Sequence, residues 1–288
     1  MRRVVVTGDQ GQLGWWVRQT APADVEVVGI DVASGMDIRS KEARALVAEA
    51  EGVVHLAALI DVVASMKDPG PTRSVNVDGT RNLLDALPPQ GRFVLVSSAA
   101  VYGELPVPVA ESDPCEPLSP YGASKLEAER ALWEADVAHG AVVRPFNIYS
   151  SRQDPSNPYT GVLSLFLDRA RRGEALRIFG DGEQTRDFVH AYDVARLLWQ
   201  AYETPGAHGG TFNAGRGEAL TINALARQVC AVAGEVPIEH APARGGEIRH
   251  SVADIEAARA LGWVPQVGLE QGLQEVARQD PSLVLAPS

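Results

Sequence analysis

Cysteine is scarce: Cys115 and Cys230 are the only two in 288 residues. They stand far apart without metal-ligand spacing, so both read as ordinary thiols of a reducing compartment, the cytoplasm. Long apolar runs are missing as well. None reaches about 18 residues, so no membrane span is expected, and MRRVVVTG leads into a strand rather than a signal peptide. Positive charge is in deficit, with 26 Lys and Arg against 37 Asp and Glu, a formal net charge of -11. Nonspecific nucleic-acid binding is therefore not expected, and any phosphate has to be held by local arginines or backbone amides. Internal repeats and low-complexity segments are absent. What remains is an ordinary globular composition, 45% hydrophobic and 22% charged. The length suits one large domain or a domain with a smaller lobe.

The chain begins with a β-branched run, Arg3 to Thr7, followed at once by TGDQGQLG and a helical stretch from Leu13 to about Gln19. Gly8, Gly11 and Gly14, with Gln12 and Leu13 between them, give G-x-x-G-x-x-G. This is the pattern of a tight turn that lets backbone approach a pyrophosphate and packs a helix closely on a strand. The next strand, VEVVGID, ends in Asp31, where a carboxylate suits an adenosine ribose. No compensating arginine is read after Asp31, so a 2'-phosphate would meet an unneutralised negative charge, which favours NAD over NADP. The bland alternative for Asp31 is a turn residue.

Only a few residues separate Asp31 from GMDIRS, leaving no room for a helix before Asp37. Asp37 and Ile38 are expected near the adenine, and Ser40 as N-cap of a helix to about Glu51. Gly52 to Leu59 reads as a buried strand running into small residues; Leu56, Ala57 and Ala58 suit a flat cofactor. Pro71 to Leu87 reads as a helix carrying Asn76, either a cofactor-side contact or a surface amide.

The stretch VLVSSAAVYGELPVPVAESDPCEPLSPYGASK, Val94 to Lys125, organises the rest. It opens as a buried strand, ends its first half on Ser97-Ser98, and crosses a proline-rich loop to Tyr121 and Lys125. Positions i and i+4 share a helix face, so Tyr121 and Lys125 point together. An ammonium beside a phenol favours the phenolate and so a general base, with Ser98 bonding the same substrate oxygen. Alone, the pair reads as a surface tyrosine and a solvated lysine. Beyond it, Ser124 to His139 is expected as a helix and Gly140 to Arg144 as a strand. Alternating strands and helices over about 145 residues argue for an α/β doubly wound parallel sheet. The remainder is more irregular and reads as a substrate lobe over the carboxyl ends of the strands.

Taken together, TGxxGxxG, HLAA, NVDGT, SSAAVYG, YGASK, RPFN, GDGEQTRDFVH and RGGEIRHSVAD resemble the extended short-chain dehydrogenase/reductase family, specifically its NAD-dependent nucleotide-sugar epimerases and dehydratases. The resemblance covers nearly the whole chain. It implies a Rossmann-type domain over 1–145 and a smaller mixed α/β sugar-nucleotide lobe over 146–288, interleaved around 185–215. A homodimer is implied through helices matching Pro71 to Leu87 and Tyr121 to His139. By resemblance Tyr121 is the base, Lys125 its partner and a nicotinamide-ribose ligand, and Ser98 the hydroxyl on the sugar 4-oxygen; Pro145 joins the cofactor set. Asn147, Arg186 and Arg244 match substrate diphosphate contacts, and Gly161, Val162 and Phe179 fall in the same substrate set; for Arg186 the alternative is a salt bridge with Asp187. Ser251 matches a position facing the sugar 2-substituent, where a small residue admits N-acetylhexosamines.

Two departures matter. Dehydratases of the family carry acidic residues where Ala99 and Ala100 stand, so a general acid for water loss is missing. The short Asp31-to-Asp37 connection and GQLG are similar to dTDP-4-dehydrorhamnose reductases, whereas RQDPSNPYTG and GDGEQTRDFVH are similar to UDP-hexose 4-epimerases. The expectation is a UDP-hexose or UDP-N-acetylhexosamine 4-epimerase with bound NAD. The alternatives are a nucleotide-4-ketosugar reductase using NADH or NADPH, a 4,6-dehydratase, and a silent sugar-nucleotide sensor.

Overall fold

The computed structural model describes residues 1–153, 161–243 and 248–285. Its centre is a six-stranded sheet whose pairings are all parallel. In chain order the strands are β1 (Arg2–Thr7), β2 (Val25–Ile30), β3 (Gly52–His55), β4 (Arg92–Val96), β5 (His139–Pro145) and an edge strand, Thr211–Ala214. Their order in space is Thr211–Ala214, β5, β4, β3, β1, β2. The chain winds outward from β1 to β2, then restarts on the other side with β3. The carboxyl ends of β1 and β3 therefore lie side by side at the point where the winding reverses, the place where such sheets bind ligands.

The inner strands carry apolar runs such as Val4–Val6 and Phe93–Val96 because helices cover both faces. Val4, Val6, Val54 and Val94 face one layer, which contains Trp16, Val17, Leu197 and Trp199. Val5, Val53, Phe93 and Leu95 face the other, which contains Ala43, Val47, Leu83 and Leu132. Helix α1 (Gln12–Gln19) packs on the helix Ala191–Glu203, which explains the double tryptophan behind the glycine turn. Trp16 is fully buried, with edge contacts to Trp15 at 4.8 Å and to His190 at 5.1 Å, and Trp199 Nε1 donates to the Val17 carbonyl at 2.8 Å.

Several elements depart from the boundaries read in the sequence. The helix from Ser124 to His139 instead spans Pro120–Glu134, capped by Ser119, whose Oγ accepts from Gly122 N at 3.1 Å. It ends early because His139 already belongs to β5. The helix expected over Pro71 to Leu87 begins at Pro69 and is interrupted by a π-helical turn, Ser74–Asp78, before resuming at Gly79–Leu84. Helix α2 (Lys41–Ala48) starts at the expected Ser40 cap, and the Asp31–Asp37 connection holds only the 3-10 turn Val32–Ser34. The third strand is shorter than expected, closing at His55.

The second half builds short strand pairs around helices Val162–Arg171, Ile222–Ala233 and Leu269–Arg278, with Leu163, Phe166, Leu225 and Leu273 in their shared core. Asn147–Tyr149 pairs with Phe188–His190, and Leu176–Phe179 with Ile238–Ala241. Thr185–Arg186 lies between Leu220–Thr221 and His250–Ser251. Among the described residues no helix is long and apolar enough to cross a membrane.

A buried ion pair joins the helix Pro120–Glu134 to β5. Arg144 donates from Nε to Glu129 Oε1 at 2.9 Å and from Nη2 to Oε2 at 2.6 Å. Its Nη1 donates to the Tyr102 hydroxyl at 3.0 Å, which in turn donates to Asn213 Oδ1 at 2.7 Å. Removing one partner strands a buried charge. Glu129→Ala is therefore expected to cost about 3–5 kcal/mol in urea unfolding, and adding Arg144→Met is expected to recover most of it; a loss near zero in the single variant would refute the pair's importance.

Candidate active site

The residues marked by the glycine pattern form one wall of a cleft of about 700 Å3 at the β1/β3 reversal. Gly8 has φ +69°, and a Cβ there would stand 3.0 Å from Ala57 N, two residues beyond the end of β3. A Cβ at Gly14 would stand 2.1 Å from the Gly8 carbonyl oxygen, so α1 leaves the turn only because that position is bare. Gly11, Gln12 and Leu13 complete this wall, with Leu56, Ala57 and Ala58 beside them. The Gln12 Nε2 amide and the Ser97 hydroxyl are both buried without a partner among the described residues, and both residues line the cleft. A bare turn at a helix start and unspent polar groups fit a dinucleotide.

Asp31 lines the cleft at the end of β2, with Oδ1 accepting from Ala33 N at 2.8 Å and Oδ2 from Gln10 N at 3.2 Å. Asp37 and Ile38 line the same end. The opposite end holds Ser98, Tyr121, Lys125 and Pro145. Ser98 tips β4 and caps the 3-10 turn Ala99–Val101, accepting from Ala100 N at 3.2 Å.

Tyr121 and Lys125 are both buried on the first turns of their helix. The electrostatics differ from the expectation that Lys125 draws the phenol down. Burial raises the Tyr121 pKa, opposed by a hydrogen bond from Ser98. Lys125 itself is lowered to about 8 by burial, with Glu129 partly opposing. The reason is desolvation: both groups are removed from water, which disfavours the charged form of each. Together they set a phenol and an amine on the first turns of one helix, in the cleft wall beside Ser98.

Asn76 is neither a cleft wall nor a surface amide. It is 2% exposed and spent on two neighbouring segments, its Oδ1 accepting from Leu59 N at 2.8 Å and its Nδ2 donating to Leu59 O at 3.0 Å and Ser124 Oγ at 2.9 Å. The π-helical turn directs it there. Ser124 Oγ donates to the Tyr121 carbonyl at 2.7 Å, and Thr80 Oγ1 to the Asn76 carbonyl at 2.6 Å. Thr80 therefore accepts from His55 Nε2 at 2.9 Å, and His55 Nδ1 accepts from Thr7 Oγ1 at 2.7 Å. A dry polar chain thus connects the end of β1 to the helix of Tyr121.

In the second half of the chain, Ser251 lies in register with Arg186, and Asn147 N donates to Asp187 O at 2.9 Å. Gln184 Nε2 donates to the carbonyl of Phe179 at 2.9 Å, Gly161 caps the helix that begins at Val162, and Arg244 lies outside the described residues. The Asp187 carboxylate accepts from the backbone amides of Arg216, Gly217 and Ala253. Another depression, of about 1010 Å3, lies among Arg171, Arg216, Gln228, Leu273 and Arg278 and contains none of the marked residues. Residue reading missed Ser97, Arg39 and Gln153 as cleft residues; for Ser97 the doubled serine at the strand tip was the available signal.

Sheet order, glycine turn and the Ser/Tyr/Lys group define a dinucleotide-dependent enzyme of the short-chain dehydrogenase/reductase type. The family model for the NAD dependent epimerase/dehydratase family matches residues 4–215, and the chain belongs to this family. A UDP-glucose 4-epimerase of Mycolicibacterium smegmatis is 35% identical, covering 94% of this chain and 96% of that protein. The structure of UDP-N-acetylglucosamine 4-epimerase from Methanobrevibacter ruminantium in complex with UDP-N-acetylmuramic acid superposes with TM-score 0.89 at 29% identity, covering 96% of this chain and 97% of the other. The Thermus thermophilus UDP-glucose 4-epimerase complex with NAD does so with TM-score 0.85 at 30% identity, covering 96% and 99%. The cofactor of this family is NAD, and the cleft fits it.

His55 supplies a pH test. Burial and the Lys125 charge lower its pKa from 6.5 to about 3. The unfolded chain takes up this proton near pH 6.5 and the folded one only near 3, so stability falls as pH drops through that window. In urea unfolding at pH 7, 5 and 4, the gap between wild type and His55→Gln is expected to narrow toward acid; parallel curves would contradict a buried neutral histidine.

Proposed function

We propose that this enzyme is a UDP-sugar 4-epimerase acting on hexoses or N-acetylhexosamines through a transient 4-keto sugar. The observation that carries the reading is the convergence of Ser98, Tyr121 and Lys125 at one end of the cleft, with Ala99 and Ala100 directly after Ser98. Alanines offer no proton, so expulsion of water lacks its acid. The similarity to proteins named UDP-glucose 4-epimerase supports the same class.

In this reading Gly8, Gly11, Gln12, Asp31 and the Leu56–Ala58 backbone hold NAD, which supplies a reversible hydride acceptor. Tyr121 removes the proton of the sugar 4-hydroxyl and later returns it. Ser98 hydrogen-bonds the 4-oxygen and favours the ionised phenol. Lys125 lends positive charge, which its residence near pKa 8 keeps available around neutral pH. Asn147, Arg186 and Arg244 grip the diphosphate so that the 4-keto sugar can turn over and accept hydride on its other face, with no net redox change. The small Ser251 next to Arg186 leaves room for a 2-acetamido group. A cytoplasmic homodimer paired through the helices around Pro69–Leu84 and Pro120–Glu134 belongs to the same reading, supported by Trp133 being 41% exposed on the second.

The test is incubation of purified protein, with and without NAD, with UDP-Glc, UDP-Gal, UDP-GlcNAc and UDP-GalNAc, resolving products by chromatography and mass. Isomers of unchanged mass are expected. Loss of 18 mass units, the mass of water, would favour a dehydratase, and turnover only of 4-keto sugars with NADH or NADPH would favour a reductase. Tyr121→Phe is expected to lower kcat by at least the ~10²- to 10⁴-fold of a general base; near-normal turnover would sink the assignment. Ser251→Tyr is expected to abolish the N-acetylhexosamine activity first, and unaffected acetylated substrates would remove that residue from the specificity argument.

A further inference from the structure

Arg39 stands in the cleft wall at the adenosine end, beside Asp31, Met36, Asp37 and Ile38. The short connection brings it there: Met36 N donates to the Asp31 carbonyl at 3.0 Å, folding the turn back on itself. The guanidinium spends its Nε/Nη2 edge on one carboxylate and one Nη1 donor on a hydroxyl. Nε donates to Asp37 Oδ1 at 2.9 Å, Nη2 to Asp37 Oδ2 at 2.5 Å, and Nη1 to Ser74 Oγ at 3.0 Å. Asp37 also accepts from Arg39 N at 2.8 Å, so the two residues form a closed fork. The same contacts hold the Asp37 carboxyl below its usual range.

A guanidinium in this part of the cleft is the group that ordinarily reads a ribose 2'-phosphate, because its planar fork matches phosphate oxygens. Here the fork is already closed on a carboxylate of the same turn. We propose that Arg39 is a specificity-determining residue of the adenosine subsite, a reader of 2'-phosphate kept silent by Asp37 and Ser74. Discrimination against NADP then has two parts: the Asp31 carboxylate repels the added phosphate, and Asp37 withholds the cation that would compensate. The inference rests on the cofactor assignment and is independent of the sugar substrate.

The test is equilibrium binding, by titration calorimetry of NAD and NADP into the full chain dialysed free of dinucleotide. Asp31→Ser removes the repulsion. Adding Asp37→Asn keeps the turn to Arg39 N but breaks the charged fork, and is expected to raise the affinity for NADP relative to that for NAD about tenfold further, as coupled neighbours do. Adding Arg39→Gln as well is expected to erase that gain. A gain that persists without Arg39, a gain shared equally by NAD, or no gain at all would overturn the proposal. Where the Asp37 variant fails to fold by thermal melt, Asp31→Ser with Arg39→Gln decides. With Asp37 intact, loss of Arg39 is expected to leave NADP affinity unchanged, and a fall of about tenfold would mean that Arg39 already reads the phosphate.

Discussion

A side chain at Gly14 would put its first carbon 2.1 Å from the Gly8 carbonyl oxygen, so helix α1 can rest on the first turn only while that position is bare. The rest of the cleft depends on this contact. It sets the direction of α1, and Trp16 on that helix then fills the space against His190 and Tyr192. It also leaves the Gly8 turn close enough to Ala57 for β1 and β3 to present their ends as one surface. Both faces of these strands are buried, so the sheet has little freedom to adjust. A change of one methyl at the turn would be felt along the whole helix.

The Ser98, Tyr121 and Lys125 end of the cleft is tied to this turn by polar groups rather than by packing. Thr7, His55, Thr80, Asn76 and Ser124 pass hydrogen bonds from β1 to the Tyr121 carbonyl without solvent access. In a low-dielectric interior such a network holds geometry tightly while every member is paired. The π-helical turn at Ser74–Asp78 exists in this setting: a regular helix would rotate Asn76 away from Leu59 and Ser124. The same interior explains the charges. Lys125 and Tyr121 both shift toward their neutral forms, and the Ser98 hydrogen bond opposes the shift of the phenol.

Local spacing made much of the site legible. The three glycines, Asp31, the small residues after His55 and the Tyr121/Lys125 interval each encode a backbone demand or a shared helix face, and each lies in one cleft. Asn76 was legible only as a polar residue on a helix, because whether it faces a ligand or a carbonyl depends on a π turn that periodicity does not reveal. Arg39 is hidden from local spacing for a related reason. It lies eight positions beyond Asp31, and only the tight turn, closed by Met36 N on the Asp31 carbonyl, brings it to the same wall. Helix ends were misjudged where a neighbouring strand claimed the residues, as at His139.

By itself the sequence determined the alternation of strands and helices, the turn that suits a pyrophosphate and the face shared by Tyr121 and Lys125, because each follows from spacing along one segment. Tertiary structure alone decided the strand order that joins β1 to β3, the closed fork of Arg39 on Asp37 and the neighbouring register of Arg186 and Ser251. It also decided the desolvation that shifts Tyr121, Lys125 and His55. These depend on which distant segments meet and how much water they exclude, and no local pattern carries that information.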